Sequence, residues 1–221
     1  MRSSFDLEKI YANRFDEEAR ASKEVIWKTL CQYFFQRYIQ ESDTVLDLGA
    51  GYCEFINNIE CAEKIAVDLN PELENYADPG IKSLISPIHD LSPIQSDTVD
   101  VIFASNIFEH LPDTSTFIQS LEEGKRVLRH AGRILILQPN IRILGGKYWD
   151  FIDHHLPLTD RSIVEALSYV GMNVVEVLPR FLPYSTKSLI PKNRTLIRIY
   201  LKFSILQRMF GSQAWVVGTK T

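Results

Sequence analysis

The stretch TVLDLGAG at residues 44–51 decides the fold, because five mostly apolar residues run directly into a turn that contains two glycines. The first five residues predict a short buried β-strand, since strands covered on both faces are nearly continuously apolar. Gly49 and Gly51 let the backbone turn sharply and approach a ligand closely. The stretch therefore predicts a strand whose carboxyl end lies beside a binding site.

Similar apolar runs recur along the chain and alternate with helical patterns. Further strands are predicted at 64–68, 81–85, 100–105 and 133–137, and two late strands at 174–177 and 214–217. Such alternation predicts a doubly wound α/β fold, in which helices cover both faces of a parallel sheet. Ligands bind such sheets in the crevice beyond the carboxyl ends of the strands.

Three helices are predicted between these strands. The first spans 16–40, the second is capped by Asp113, and the third is capped by Thr159 or Asp160 and closed by Gly171. Their buried faces are predicted to comprise Val25, Ile26, Leu30, Phe34 and Tyr38 in the first helix, Phe117, Leu121 and Leu128 in the second, and Ile163, Val164, Leu167 and Val170 in the third. Arg126, Arg129 and His130 are expected at the negative end of the second helix.

Length and composition exclude several classes of protein. The chain has 221 residues, of which 45% are hydrophobic and 24% charged, as expected for one globular domain. Three cysteines with no paired spacing argue against a disulfide framework and against a structural zinc site. The acidic start lacks the apolar core of a signal peptide, and no window is apolar enough to span a membrane. A cytoplasmic protein is therefore expected.

Polar residues follow the predicted strands at the edge where a ligand would bind. Asp68 ends the second strand, and a carboxylate there can accept hydrogen bonds from both hydroxyls of an adenosine ribose. Asp90, in the segment His89-Asp90-Leu91, can accept from the exocyclic amine of adenine. The helix expected after Gly51 would add backbone amide donors. The combination predicts an adenosine site.

The charge beside the glycines indicates which adenosine cofactor is bound. Dinucleotide sites carry a third glycine where this chain has Glu54, and an acid there would repel a pyrophosphate. S-adenosyl-L-methionine carries an ammonium and a sulfonium instead of phosphates, and nearby acids such as Asp47 attract both. The electrostatics favour the sulfonium cofactor over NAD, and a dinucleotide oxidoreductase remains a weaker alternative.

These motifs together resemble the class I S-adenosylmethionine-dependent methyltransferases. Residues 45–51 are similar to the first motif of that family, 66–71 to its ribose-binding acid, 100–111 to its fourth strand and exit, and 132–136 to its fifth strand. The resemblance covers about residues 40–180. It implies a Rossmann-like, seven-stranded, mostly parallel sheet with an antiparallel late strand. The cofactor-binding residues that it implies are Arg14, Asp47, Gly49, Ala50, Gly51, Asp68, Leu69, Asn70, His89, Asp90, Leu91, Ser105, Asn106 and His110.

The same comparison suggests the class of methyl acceptor. Enzymes of the family that methylate the amino groups of bases usually carry Asn/Asp-Pro-Pro-Tyr after the fourth strand, whereas residues 105–108 read Ser-Asn-Ile-Phe. Residues 148–159 are similar to bacterial methyltransferases associated with sugar and lipid-linked glycan biosynthesis. The expected acceptor is thus a hydroxyl or carboxyl of a small or lipid-linked molecule.

Histidines in the loop after the fifth strand are the predicted catalytic residues. A protein base is needed only where the acceptor is a poorly acidic hydroxyl, and His154 and His155 lie at the correct end of the sheet to meet it. One of them can equally pack against or cap the following helix. Glu109 and His110 are a neighbouring carboxylate and imidazole, but the sequence identifies no third ligand, so no metal site is predicted.

Charge is distributed unevenly along the chain, whose net charge is −4. From Arg180 on there are eight basic residues and no acidic ones. Within 194–210, basic residues recur every four positions on a largely apolar segment, which suits either an amphipathic helix at an anionic membrane surface or a lid helix packed on the sheet. Nucleic acid is a less favoured partner, because the cations are few and the aromatics form no stacking platform.

The resemblance implies one methyltransferase domain, within which the sequence indicates four segments. An N-terminal helical cap is expected over 1–43, a cofactor-binding core over 44–180, a basic lid or interfacial segment over 181–213, and the last strand over 214–221. A peripheral membrane position is compatible with the cytoplasmic expectation. The alternatives left open are methylation of RNA or protein, and a cofactor-binding module without turnover.

Overall fold

Seven strands form one sheet in the computed structural model, which describes residues 17–184 and 193–221, with side chains from residue 23 on. The strands are β1 (Thr44–Leu48), β2 (Glu63–Asp68), β3 (Lys82–Ile85), β4 (Val99–Ser105), β5 (Leu128–Pro139), β6 (Met172–Leu178) and β7 (Gln213–Lys220). Their order across the sheet is β3-β2-β1-β4-β5-β7-β6. The predicted Rossmann-like, mostly parallel sheet is confirmed, and all seven predicted strands are present.

The first five strands are parallel, and β7 runs antiparallel to both of its neighbours, β5 and β6. Strand order reverses beside β1, which pairs with β2 on one side and β4 on the other. A crevice opens at such a reversal beyond the carboxyl ends of the strands. The glycine turn after β1 therefore lies where a ligand is expected.

The helices are α1 (Glu17–Tyr33), α2 (Leu73–Tyr76), α3 (Thr114–Val127), α4 (Ile141–Leu144), α5 (Asp160–Tyr169), α6 (Arg194–Lys202) and α7 (Ser204–Phe210). Short 3₁₀ helices span Phe35–Tyr38, Ile56–Asn58, Phe108–His110 and Gly145–Asp150. Asp113 caps α3 by accepting from the Thr116 amide at 2.8 Å, as predicted. Thr159, not Asp160, caps α5, in a reciprocal box with Ser162.

Two hydrophobic cores lie on opposite faces of the sheet. One contains the inner faces of α3 and α5, including Phe117, Leu121 and Ile163. The other joins α1 to the sheet through an aromatic group, in which Phe35 and Trp215 are fully buried. Because β7 contributes Val216 to the first core and Trp215 to the second, the last strand is an integral part of the sheet.

Some helix predictions were wrong in detail. The helix expected over 16–40 ends at Tyr33 and continues as a 3₁₀ turn, and Val25, predicted to be buried, is 42% exposed. Leu128 is buried as the first residue of β5 and not on α3, which ends at Val127; Arg129 and His130 likewise belong to β5. The segment 194–210 forms two helices interrupted at Phe203.

Candidate functional site

The glycine turn after β1 is held against the end of β2. The amides of Gly49 and Ala50 both donate to the carbonyl of Val67, at 2.8 and 3.1 Å. Gly49 has a φ of +77°, and a Cβ on it would lie 2.5 Å from the Ile107 side chain, so the close approach of these two residues requires glycine. Gly51 also has a left-handed φ, of +53°, with open space around it.

The α-helix expected after Gly51 is absent, and that prediction was wrong. Cys53 adopts a left-handed φ of 59°, and only the 3₁₀ turn Ile56–Asn58 follows. The Asn57 side chain donates to the Tyr76 carbonyl and accepts from the Asp78 amide, so it holds this loop to the segment after β2. Burial raises the pKa of the Cys53 thiol to about 12, so it is protonated at neutral pH.

Three carboxyl groups, those of Asp47, Glu54 and Asp68, lie around the turn. Burial raises the pKa of Asp47 well above its ordinary value, and the charges of Glu54 and Asp68 raise this pKa further. A hydrogen bond that the Ile56 backbone amide donates to Asp47 opposes the shift. Lys23 of α1 pairs with Glu54 at 2.5 Å. A cationic ligand would relieve the repulsion among these acids, whereas a pyrophosphate would increase it.

Asp68 ends β2, and its carboxylate is fixed by backbone donors. Its Oδ2 accepts from the Gly51 amide at 2.8 Å, and its Oδ1 accepts from the Asn70 amide at 2.9 Å. Leu69 between them is 61% exposed, which leaves an apolar surface beside the acid. An acid with spare lone pairs next to an exposed apolar side chain fits a ribose and the flat base attached to it.

The segment after β3 lies against α3. Arg126 donates to the Leu91 carbonyl at 2.8 Å, and Glu123 accepts from the Leu91 amide at 3.0 Å, while the Leu91 side chain is buried in the core. His89 and Asp90 line an open groove of about 630 Å³ whose walls include neither Asp68 nor the glycine turn. Hydrogen bonds from Ser92 hold the pKa of Asp90 below its ordinary value.

The exit of β4 carries a buried side-chain amide at Asn106. Asn106 has a φ of 50°, and its side-chain nitrogen donates to the Ser105 hydroxyl at 2.9 Å. Its Oδ1 is buried and accepts no hydrogen bond from the residues that the structure describes. A buried acceptor of this kind fits an ammonium or hydroxyl donor of a bound molecule.

Of His110, His154 and His155, the fold places the first two side by side. The rings of His110 and His154 lie 5.2 Å apart, with His154 buried and His155 exposed. His110 ends the 3₁₀ turn after β4 and does not begin a helix, since α3 starts at Thr114. The amide of His155 donates to the Glu109 carbonyl at 2.8 Å, which joins the loop after β5 to the exit of β4.

Sequence reasoning missed a buried polar group at the end of β5. Gln138 and Asn140 are both fully buried, and each has a side-chain oxygen without a partner among the described residues. Gln138 donates to Glu109 at 2.9 Å, and Asn140 donates to Asp160 at 2.8 Å. The signal was present in the sequence, because Gln138-Pro139-Asn140 follows an apolar strand as Ser105-Asn106 does.

These residues fit S-adenosylmethionine. The acids match its two positive charges, and the Asn106 oxygen supplies an acceptor.

Arg14, which was predicted to contact the cofactor, lies outside the described residues. Among the residues described, no helix is long and apolar enough to cross a membrane.

Comparisons with known proteins indicate a methyltransferase domain and fold. Residues 46–136 match the family model of a methyltransferase domain, and the sequence matches none of the curated proteins. A SAM-dependent methyltransferase from Archaeoglobus fulgidus is similar in structure, with 23% identity, a TM-score of 0.69, and coverage of 96% of this chain and 100% of the other. A Thermotoga maritima structure described as a possible histamine N-methyltransferase has 15% identity, a TM-score of 0.68, and coverage of 96% and 99%.

A third similar structure is a geranyl diphosphate methyltransferase in complex with geranyl diphosphate and sinefungin. It has 17% identity and a TM-score of 0.60, and the match covers 96% of this chain and 85% of the other. At these identities the solved structures show the fold alone, and the family model identifies the activity of the central segment. Residues 46–136 are thus a methyltransferase domain.

Proposed function

We propose that this S-adenosylmethionine-dependent methyltransferase transfers the methyl group to a hydroxyl or carboxyl oxygen of a small or lipid-linked molecule at an anionic membrane surface. The observation that carries the proposal is the surface of α6 and α7, which is both apolar and basic. When bound, the cofactor supplies a methyl group on a positively charged sulfur. The residues of the chain hold the two reactants in line and exclude water from them.

Within this proposal, the cofactor lies between the glycine turn and the exit of β4. Asp68 accepts from the ribose, Leu69 covers the base, and Asn106 accepts from the ammonium. Asp47 and its acidic neighbours favour the positive charges. The other predicted contacts, including His89, Asp90 and Arg14, stay predictions.

The acceptor then lies beyond the end of β5, where buried polar side chains meet the crevice. Gln138, Asn140 and His154 are buried there, and Trp149 and Ile152 of the same loop are 52% and 72% exposed. A polar interior with an apolar rim suits an acceptor that has a polar reacting end and an apolar remainder. Of the two predicted histidines, we assign His154 to the reacting end and His155 to the entrance.

The α6–α7 surface consists of two helices, of which α6 is docked on α1 by one face. Ile197 and Tyr200 are buried, and the Tyr200 hydroxyl donates to the Phe181 carbonyl at 2.5 Å. A second apolar face remains exposed and consists of Leu196, Ile199, Phe203, Ile205, Met209 and Phe210, which are between 42% and 62% exposed. Contiguous exposed apolar patches commonly mark interaction surfaces.

Basic residues flank this apolar surface. Arg198 stacks over the Tyr33 ring at 4.5 Å, and Lys202 and Arg208 are exposed. None of these three forms an ion pair within the described part of the chain, whereas Lys220 pairs with Asp97 at 2.8 Å. Apolar side chains flanked by uncompensated cations match an anionic lipid surface, with about 1 kcal/mol per basic residue.

Flotation with lipid vesicles tests the membrane surface. The chain is expected to float with vesicles containing phosphatidylglycerol and not with pure phosphatidylcholine, and to dissociate as salt rises from about 0.1 to about 1 M. Removing Lys202 and Arg208 by K202A and R208A should weaken binding by about 2 kcal/mol, roughly thirtyfold. The matched control removes the exposed basic residues Lys82 and Arg133, and an equal loss there would contradict the assignment.

Methyl transfer from tritium-labelled cofactor tests the acceptor. Label is expected in the lipid or small-molecule fraction of a bacterial extract, and mild alkali separates the two oxygens, because it releases methanol from a carboxyl ester and leaves an ether intact. Label in RNA or protein would overturn the acceptor class. Binding of S-adenosylhomocysteine without transfer to any fraction would indicate a module without turnover.

A further inference from the structure

Three side chains that can ligate a metal converge beyond the carboxyl ends of β4 and β5. Glu109 and His110 come from the 3₁₀ turn after β4, and His154 comes from the loop after β5. One ligand atom from each lies within 4.8 Å of the other two. The sequence showed the adjacent pair Glu109 and His110 but not the third member, His154. His154 follows Asp153, which lies 43 residues after His110 in the chain.

Neighbouring groups orient two of these side chains toward one another. Gln138 donates to Glu109 Oε2 at 2.9 Å, so Oε1 is the carboxylate oxygen left facing His110 Nε2, at 4.0 Å. His110 Nδ1 lies 2.9 Å from the carbonyl oxygen of Asp153. A proton on Nδ1 would donate to that carbonyl and leave the lone pair of Nε2 directed toward Glu109. Histidines that bind metals are commonly held by such a bond to a backbone carbonyl.

The cluster is also buried and mechanically fixed. Glu109 is 1% exposed and His154 is 6% exposed. The amides of His155 and Leu156 both donate to the Glu109 carbonyl, at 2.8 and 3.1 Å, so the two loops cannot separate without breaking these bonds. A buried carboxylate is costly unless a positive charge compensates it, and a cation between the carboxylate and two imidazoles would do so.

We propose that Glu109, His110 and His154 bind one divalent first-row transition metal ion. Imidazole nitrogens with one carboxylate oxygen suit zinc, iron, cobalt or nickel better than magnesium or calcium, which prefer all-oxygen ligands. Three protein ligands leave a coordination position open. Under the proposed function, an oxygen of the acceptor would take this position. The last statement rests on the proposed function, whereas the metal site itself does not.

Titration of the EDTA-treated full chain with Co²⁺ tests the site, because bound Co²⁺ gives visible absorption bands that report its ligands. One equivalent is expected to bind, and excess Zn²⁺ should displace it. His154→Ala and the isosteric Glu109→Gln should each weaken Co²⁺ binding by about 100-fold or more, since even the loss of an outer contact costs about 10–100-fold. His155→Ala, at the exposed neighbouring position, should bind Co²⁺ as the parent does.

The outcomes separate this inference from the proposed function. Absence of a saturable one-equivalent site in the parent, or equal losses in His155→Ala and His154→Ala, would overturn the metal site. Binding of S-adenosylhomocysteine, measured on the same metal-free samples, shows that each variant is folded. If Co²⁺ binds as expected and no oxygen is methylated, the metal site stands and the proposed acceptor fails.

Discussion

The Asp68 carboxylate accepts two backbone hydrogen bonds, and both donors belong to residues predicted to contact the cofactor, Gly51 and Asn70. The side chain therefore fixes the shape of the turn and also presents its remaining lone pairs to a ribose. This double role could be predicted only in part. The position at the end of an apolar strand identifies the acid, but the sequence does not show which backbone amides fold toward it.

Replacing Asp68 by Ala should weaken the binding of S-adenosylhomocysteine by about 2 kcal/mol, or roughly thirtyfold, because charged hydrogen bonds to the ribose are lost. Isothermal titration calorimetry measures the change. Asp68→Asn keeps one acceptor oxygen and should lose less. An unchanged affinity in Asp68→Ala would remove this residue from the site.

The buried Asp47 should make stability depend on pH. Its pKa is raised in the folded protein, chiefly by burial and then by Glu54 and Asp68, so the folded state favours the neutral acid. This stabilising preference is fully present below the pKa of the unfolded chain, near 4, and is lost as pH rises through the folded pKa. Without cofactor, Asp47→Asn should therefore gain stability relative to the parent as pH rises.

Urea unfolding at pH 4.5 and 7.5 measures this difference. The variant is expected to exceed the parent by more at pH 7.5 than at pH 4.5, and to bind the cationic cofactor less tightly. The control is Glu63→Gln, at an exposed position of β2. Its free energy of unfolding should differ from that of the parent by the same amount at both pH values. A constant difference between Asp47→Asn and the parent would show that Asp47 is ionised throughout.

Among the elements, the strands were predictable and the connections were less so. Apolar runs such as 100–105 specify buried strands because few other arrangements cover both faces. The loop after Gly51 was not predictable, because tertiary hydrogen bonds made by Asn57 replace those of a helix. Val25 illustrates the same limit, since its helical spacing is correct but the sheet covers only a narrow stripe of α1.

The N-terminus of α5 offers a test of local stability. Thr159 accepts from the Ser162 amide at 3.0 Å, and the Ser162 hydroxyl accepts from the Thr159 amide at 2.8 Å. Thr159→Ala should lower the free energy of unfolding by about 1 kcal/mol, because one amide of the first turn loses its partner. Chemical denaturation measures it, and Thr195→Ala, exposed near the start of α6, is the control. An equal change in both variants would argue against the cap.

Across the whole molecule, one sheet joins the two cores and carries the site at one edge. The reversal of strand order beside β1 could be anticipated from the resemblance to a family, but the meeting of Glu109 with His154 could not. Their contact depends on how two loops fold over the ends of β4 and β5. Periodicity describes the elements and leaves such loop contacts unspecified.

Ligand binding should stabilise this whole unit. S-adenosylhomocysteine at about 100 times its dissociation constant is expected to add about 2.7 kcal/mol, which raises the melting temperature by about 5–11 °C for a domain of this size. Differential scanning fluorimetry measures the shift, and NAD at equal concentration should give none. A shift with NAD alone would leave the fold standing and overturn the cofactor.

The place of β7 between β5 and β6 has a consequence for biosynthesis. β6 pairs with β7 and with no other strand of the described residues, yet β7 follows it by roughly 40 residues. At translation rates of about 5–20 residues per second, β6 is synthesised about 2–8 s before its only neighbour. During that interval the nascent chain exposes an unpaired strand edge on β5, where a chaperone or another nascent chain can bind.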